Sequence, residues 1–357
     1  MSRGARPLVL GIETSCDDTA CAVVDGDGRV LASVVSSQLA AHGPYGGVVP
    51  EIASREHLAN WPAVSAEALS SAGVALDTVD VVAATCGPGL VGSLLVGLTL
   101  GRTLAWARGL EFHAVHHLEG HVFSPYLALA GRPARQIPER FVALVVSGGH
   151  TSLYGVDGAA LTTLAETRDD AFGEAFDKFG KRLGLAYPQG PKVDALAERG
   201  DAAAHRLPRA AGRDELFFSY SGLKTQALTE LERLAARGVE LPAAGAAEAA
   251  FPSALLDLIA GFRDSAVRQL LDRLTRLHRR QPFEHLAVSG GAAATRELRR
   301  RLPAWAATRG VELALVPLAY AGDNAAMIAF AALRRHRLGL ADDPFAAQAA
   351  SRLPLSA

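Results

Sequence analysis

Cysteine is scarce in this chain: three in 357 residues, Cys16, Cys21 and Cys86, an odd count with no metal-binding spacing. That excludes a disulfide scaffold and points to a reducing compartment. Lysine is nearly as scarce. Only positions 178, 181, 192 and 224 carry it, against 32 arginines, so phosphate or carboxylate recognition would fall to guanidinium forks. The net charge of −1 gives no global field for nucleic acid, and such a partner must be held by local patches. No apolar run spans a bilayer: the longest, Gly87 to Gly101, holds five glycines and stops at Arg102. The apolar run before Glu13 is too short for a signal peptide. A cytoplasmic protein without membrane contact is the reading. There is no Gly-x4-Gly-Lys-Ser/Thr phosphate loop.

What is present is a full core, with 49% apolar residues, on a length that predicts about two domains. Leu8 to Gly11 reads as a buried strand. A polar turn, Glu13 to Thr19, leads to a second strand, Ala20 to Asp25, and Gly26-Asp27-Gly28 to a third, Val30 to Val35. The same order recurs at Phe141 to Val146, Ser147 to Ser152, Leu153 to Val156, Asp157-Gly158 and Leu161 to Leu164. A strand–glycine–helix unit also occurs twice. Val79 to Thr85 runs through Gly87-Pro88-Gly89 into a helix from about Val91 to Trp106. Leu286 to Ser289 runs through Gly290-Gly291 into one from about Ala294 to Ala307. Two similar α/β halves with a cleft between them are the simplest account. Helical spacing continues at Asp169 to Leu185, Phe251 to Leu277 and Asn324 to Leu338, and residues 243–250 are an alanine-rich run.

His117 and His121 are four apart, which stacks both imidazoles on one helix face and lets them grip one divalent metal. Glu119 projects from another face, so a metallopeptidase with its base next to the first ligand is not implied. A third ligand must come from elsewhere, and Asp323, in a loop before a helix, is the candidate. The plainer alternative is a pair of partly buried polar side chains at a helix end. Ser147-Gly148-Gly149 lets a phosphate approach the main chain, or is simply a hairpin turn. Gly87-Pro88-Gly89 and Gly290-Gly291 suit an anion at a helix start, or close packing. Asp177 and Asp194 flank Tyr187 to Pro191 and can accept ribose hydroxyls, or are solvated charges. Glu13 can act as a base or orient a ligand. The arginines at 296, 299, 300 and 301, with 268, 273, 276, 279 and 280, form phosphate-binding faces or solvated helix surfaces.

Eight motifs then fall in one order: Gly11 to Asp17, Gly46 to Glu51, Gly87 to Leu90, His116 to His121, Val146 to Thr151, Gly173 to Lys178, Ser219 to Thr225 and Asp323-Asn324. From about Val9 to Phe330 the chain resembles the bacterial tRNA adenosine threonylcarbamoyltransferases, the TsaD family, once labelled O-sialoglycoprotein endopeptidases. The resemblance implies an α/β actin-like ATPase fold of two duplicated RNase-H-like halves. The first would be 1–115, completed by a C-terminal helix at 324–350. The second would be 116–323, and the mostly helical, alanine-rich pattern from about 168 to 255 reads as a helical insertion within it.

It further implies transfer of threonylcarbamoyl from threonylcarbamoyl-AMP to N6 of adenosine 37, just 3′ of the anticodon, in tRNAs reading codons that begin with A, with release of AMP. On the family's pattern His117, His121 and Asp323 are metal ligands, with iron favoured over zinc. Val145, Val146, Ser147, Gly148, Gly149, Asp177, Gly190 and Asp194 fall on adenylate-binding positions, and Glu13 is the candidate for assisting proton removal. A TsaB-like paralogue and a TsaE-like ATPase are the implied partners. Three positions depart from the pattern: Thr295 stands at a nucleotide-binding position where Asn is common, Gln189 replaces a glycine and would itself be strained if its φ were positive, and Ala321-Gly322 precede Asp323. The rival readings are a metal-dependent peptidase and a non-catalytic actin-like nucleotide-binding scaffold.

Overall fold

A computed structural model describes residues 6–128, 135–207, 216–243 and 250–355. They form two compact units: one of 1–139, 157–161 and 315–357, the other of 140–156 and 162–314. The first unit opens with β1 (Val9–Glu13), β2 (Asp18–Val24) and β3 (Val30–Ser37). Next come α1 (Leu39–His42), α2 (Pro50–Ala72), β4 (Val81–Gly87) and α3 (Val91–Arg108). β5 (Glu111–His116) and α4 (His117–Phe123) follow. The second unit carries β6 (Arg140–Val146), β7 (Thr151–Asp157) and β8 (Ala160–Glu166), the tip of that last hairpin grouping with the first unit. It continues with α5 (Phe172–Arg182), α6 (Gly190–Ala197), α7 (Ser221–Ala236) and α8 (Ser253–Arg280). β9 (His285–Ser289), α9 (Arg296–Ala307) and β10 (Glu312–Leu315) complete it. α10 (Ala325–Arg337) belongs to the first unit.

The first sheet runs β3-β2-β1-β4-β5 and the second runs β8-β7-β6-β9-β10. Position for position these are one order, so the duplication expected from the strand pattern is present. In both, the first strand of the unit pairs in parallel with the fourth, β1 with β4 and β6 with β9.

Alternation along β1 decides which residues reach the site. Leu10 and Ile12 point into a core with Val64 and Ala68 of α2, Leu98 and Ala105 of α3, and Phe112 of β5. The opposite face therefore carries Val9, Gly11 and Glu13. There α10 lies so close that a Cβ on Gly11 would stand 2.3 Å from the Ala325 carbonyl oxygen. Gly11 thus admits the start of α10, and Glu13 shares its face.

Several expectations shift. α2 and β5 were not anticipated: α2 is alanine-rich with Pro62 in its interior, so its apolar period is weak. Its ends follow the usual rules, Pro50 in the first turn and Gly73 at φ 66° after the last. The final helix stops at Arg337, not near 350; Gly339, at φ 69°, breaks it. Between 168 and 255 the chain forms α5, α6 and α7 and enters α8, and the alanine-rich run at 244–249 lies outside the described residues.

Candidate metal centre and a glycine-lined pocket

Both ligand candidates of the histidine pair sit on α4, whose start is fixed by His116. Its Nδ1 accepts from the Leu118 amide at 3.1 Å while its Nε2 donates to the Leu353 carbonyl at 2.9 Å. Burial lowers the His116 pKa to about 4, as a neutral ring in both roles requires. One turn of helix then sets His117 beside His121, ring centres 4.8 Å apart and ring planes perpendicular.

Asp323 reaches the pair from a loop locked by the next residue. Asn324 Oδ1 caps α10 by accepting from Met327 N at 3.0 Å, and its Nδ2 donates to the carbonyls of Gly322 and Tyr320. Asp323 Oδ1 consequently lies 3.1 Å from His121 Nε2 and 3.5 Å from His117 Nε2. One donor atom from each of the three residues falls within 4.8 Å of the others. Two imidazoles and a carboxylate converging on one point are a donor set that fits a divalent ion.

Glu13 stands behind His117. It is fully buried, with Oε2 3.1 Å from His117 Nδ1 and 2.6 Å from the Thr85 hydroxyl that donates to it. Oε1 accepts from Ser15 N at 2.5 Å, and Ser15 Oγ lies 3.2 Å from His117 Nδ1. Burial alone would raise the Glu13 pKa, but the charge and hydrogen bond of His117, with the hydrogen bond from Ser15, together hold the carboxylate below its ordinary range. Burial likewise opposes a charge on His117, yet Asp323 and Glu13 lift its pKa to about 9. With Nδ1 turned to Glu13, Nε2 is the nitrogen left for an ion. The Nδ1 atom of His121 is buried with no hydrogen-bond partner, so the two rings are anchored unequally. Ser15 lies in the Gly11 to Asp17 motif but had no role of its own there, and Thr85 carried no signal beyond ending a strand.

The second unit holds a cavity of about 420 Å³. Of the residues expected at an adenylate, Gly148, Asp177, Gly190, Asp194 and Thr295 line it, beside Phe172, Phe176, Gly291 and Arg296. Val145, Val146, Ser147 and Gly149 are outside that wall. The two valines are buried in β6, and Ser147 Oγ accepts from His150 N within a tight turn. Gly173 seats α5 on that turn, because a Cβ there would meet Ser147 O at 2.6 Å.

Asp177 accepts from Gly190 N at 2.7 Å, tying α5 to the start of α6, and burial raises its pKa against that bond. Asp194 is held from both sides. Its Oδ1 lies 3.1 Å from the buried Arg263 Nη1, and its Oδ2 accepts from Arg296 N at 3.2 Å. Arg263, on the long α8, was missed because a lone arginine in an amphipathic helix reads as surface.

Gln189 adopts φ −85°, so the conditional strain does not arise. Thr295 donates its hydroxyl to Ala292 O at 2.7 Å, within its own turn. Gly87 and Gly290 follow the packing alternative. A Cβ would meet Ala350 O at 2.4 Å in the first case and Val146 O at 2.3 Å in the second. Much of the arginine run is spent on nearby carboxylates: Arg300 and Arg301 pair with Glu297, and Arg268 and Arg301 with Asp264. No helix among the described residues is long and apolar enough to cross a membrane.

Comparison with known proteins gives the family and the fold. The family model "TsaD: tRNA N6-adenosine threonylcarbamoyltransferase" matches residues 29–330. The protein of that description from Pelobacter propionicus is 47% identical over 324 residues, 90% of each chain. The one from Syntrophobacter fumaroxidans is 46% identical over 349 residues, 97% of this chain and 99% of that one. Among solved structures, HypF of T. kodakarensis aligns with a TM-score of 0.58 at 12% identity, over 94% of this chain and 48% of that one. At such identity the likeness concerns the fold alone, which is the duplicated actin-like ATPase fold.

Proposed function

Because this chain belongs to the TsaD family of tRNA N6-adenosine threonylcarbamoyltransferases, we propose that its two sites divide one acyl transfer between them. The enzyme transfers threonylcarbamoyl from threonylcarbamoyl-AMP to N6 of adenosine 37 in tRNAs reading codons that begin with A, in t6A biosynthesis. The exocyclic amine attacks the carbamoyl carbon, the bond to the phosphate oxygen breaks, the amine proton is lost and AMP leaves.

The cavity of the second unit takes the adenylate. Gly148 has open space where a Cβ would stand, so a phosphate can approach the main chain. Asp177 and Asp194 accept from ribose hydroxyls, and Arg263 keeps the Asp194 carboxylate turned for the task. His117, His121 and Asp323 would hold the metal, and a two-histidine, one-carboxylate donor set favours ferrous iron. When bound, such an ion would supply Lewis acidity toward an acyl or carboxylate oxygen. Adenine N6 is a poor nucleophile, so positioning and charge stabilisation carry most of the acceleration.

Glu13 acts through His117. Its two oxygens already take an imidazole, a hydroxyl and an amide, and it is sealed from solvent, so it orients the ring and does not collect the amine proton. The site gives no support to the peptidase, because Glu119 is engaged with Arg335. A TsaB-like paralogue, a TsaE-like ATPase and a cytoplasmic location complete the proposal.

The convergence of His117, His121 and Asp323 is the observation that carries this reading. Incubation with threonylcarbamoyl-AMP, the two partners and unmodified tRNA should yield modified adenosine, and His117→Ala with His121→Ala should abolish it. A wild-type protein that forms no product with the complete set, or a double variant that keeps full turnover, would refute the assignment.

A further inference from the structure

The glutamate between the two ligand histidines has no part in the chemistry above. It lies two residues from each, about 200° around the helix, and so leaves α4 away from the ion site. Yet Glu119 is only 3% exposed. Its carboxylate meets the Arg335 guanidinium of α10 in a fork: Oε1 lies 3.2 Å from Nε, and Oε2 lies 2.6 Å from Nη2. The remaining arm of Arg335 is also engaged. Nη1 donates to Ala114 O at 3.0 Å and to Asp342 Oδ2 at 3.2 Å, and the same Asp342 oxygen accepts from Ala114 N. One guanidinium thus joins the strand entering α4, α4 itself, α10 and the C-terminal segment.

That contact lies between the two helices whose spacing sets the metal site. α4 delivers both imidazoles, and Asp323 stands just ahead of α10, fixed to it by the Asn324 cap. Gly120, beside Glu119, brings the helices together: a Cβ there would stand 2.9 Å from Ile328 Cδ1 and 3.0 Å from Met327 Cγ. We propose that the Glu119–Arg335 fork is the positioning device of the metal centre, holding α4 against α10 at the separation where His117, His121 and Asp323 share one ion. The inference rests on the metal reading of those three residues.

The direction of the effect separates this role from simple electrostatics. If Glu119 and Arg335 acted on the ion only through their charges, Glu119→Gln would weaken binding and Arg335→Met would strengthen it. A clamp demands that both weaken it, and that the double variant be no worse than either single one.

The test titrates Co²⁺ into the metal-free full chain, in competition with a chelator. It covers wild type, Glu119→Gln, Arg335→Met, the double variant and Arg335→Lys, which keeps the charge and loses the fork. AMP binding reports folding of the second unit, and the thermal midpoint with and without Co²⁺ reports the first. The expected result is a tenfold or greater rise in the Co²⁺ dissociation constant for both single variants, with Arg335→Lys also impaired. Dissociation constants within twofold of wild type, or opposite shifts for the two single variants, would overturn the clamp. Should Glu119→Gln or Arg335→Met not fold, Arg335→Lys decides by the same criterion. His117→Ala keeps the two ideas apart: Co²⁺ binding unchanged in that variant refutes the metal reading itself.

Discussion

Oε2 of Glu13 and Nδ1 of His117 stand 3.1 Å apart, out of reach of solvent, although 104 residues separate them in the chain. A carboxylate behind a ligand imidazole fixes the tautomer and raises the basicity of the nitrogen facing the ion. Glu13→Gln should therefore weaken Co²⁺ binding by about 10- to 100-fold, and Thr85→Val by less, since Thr85 only steadies Glu13. Chelator competition measures both. A Glu13→Gln protein with wild-type affinity and no turnover would return Glu13 to the role of base.

Proton and metal compete for His117. Its pKa is raised to about 9 by Asp323 and Glu13 against burial, so the metal-free protein carries a proton there at neutral pH. The ligand form is neutral, and binding must expel that proton. Apparent metal affinity should climb about tenfold per pH unit between roughly pH 6 and 8 and level off near pH 9. The stability of the metal-free protein moves the other way. A folded pKa above the ordinary value contributes stability that is complete below about 6.5 and disappears as the pH rises through about 9. Metal titrations and unfolding curves across that range check the two slopes, and a flat affinity would contradict the geometry.

Gly11→Ala should displace α10. The new Cβ would press on the Ala325 carbonyl, and backbone in a packed helix cannot swing aside as a side chain can. The expected loss is about 1–3 kcal/mol of stability. Metal binding should fall with it, because Asp323 precedes that helix. Denaturant unfolding with and without Co²⁺ reads both effects.

Gln189→Gly tests the loop ahead of α6. Gln189 has an ordinary right-handed backbone but a buried side chain against Gly180, so glycine there adds unfolded-state freedom and also removes packing. The variant should be less stable by at least about 0.5–1 kcal/mol. A gain in stability would mean that the position favours glycine after all.

Thr295→Asn addresses the other departure. The threonine hydroxyl is bound within its own turn, and an amide reaches further into the cavity. AMP should bind several-fold more tightly, consistent with one added hydrogen bond of about 1 kcal/mol. Calorimetry with AMP measures it, and unchanged or weaker binding would leave residue 295 as wall alone.

The sequence by itself determined the local elements and their repetition. Strand runs bounded by glycine turns marked β1 to β3 and their echo at β6 to β8, because apolar period and turn chemistry are written over a few neighbouring residues. Four-residue spacing put His117 and His121 on one face for the same reason, and the ordered motifs carried the family. It did not reveal α2, whose alanine-rich surface has little apolar period, or Arg263, which looks like any surface arginine until Asp194 is beside it.

The sequence offered Asp323 only as a candidate; tertiary structure decided the distances at which it meets the histidines, and that Glu13 turns inward behind His117 and Glu119 turns away to Arg335. Those distances follow from α10 packing on β1 and α4. Such packing depends on side chains far apart in the chain fitting together, and no local pattern encodes it.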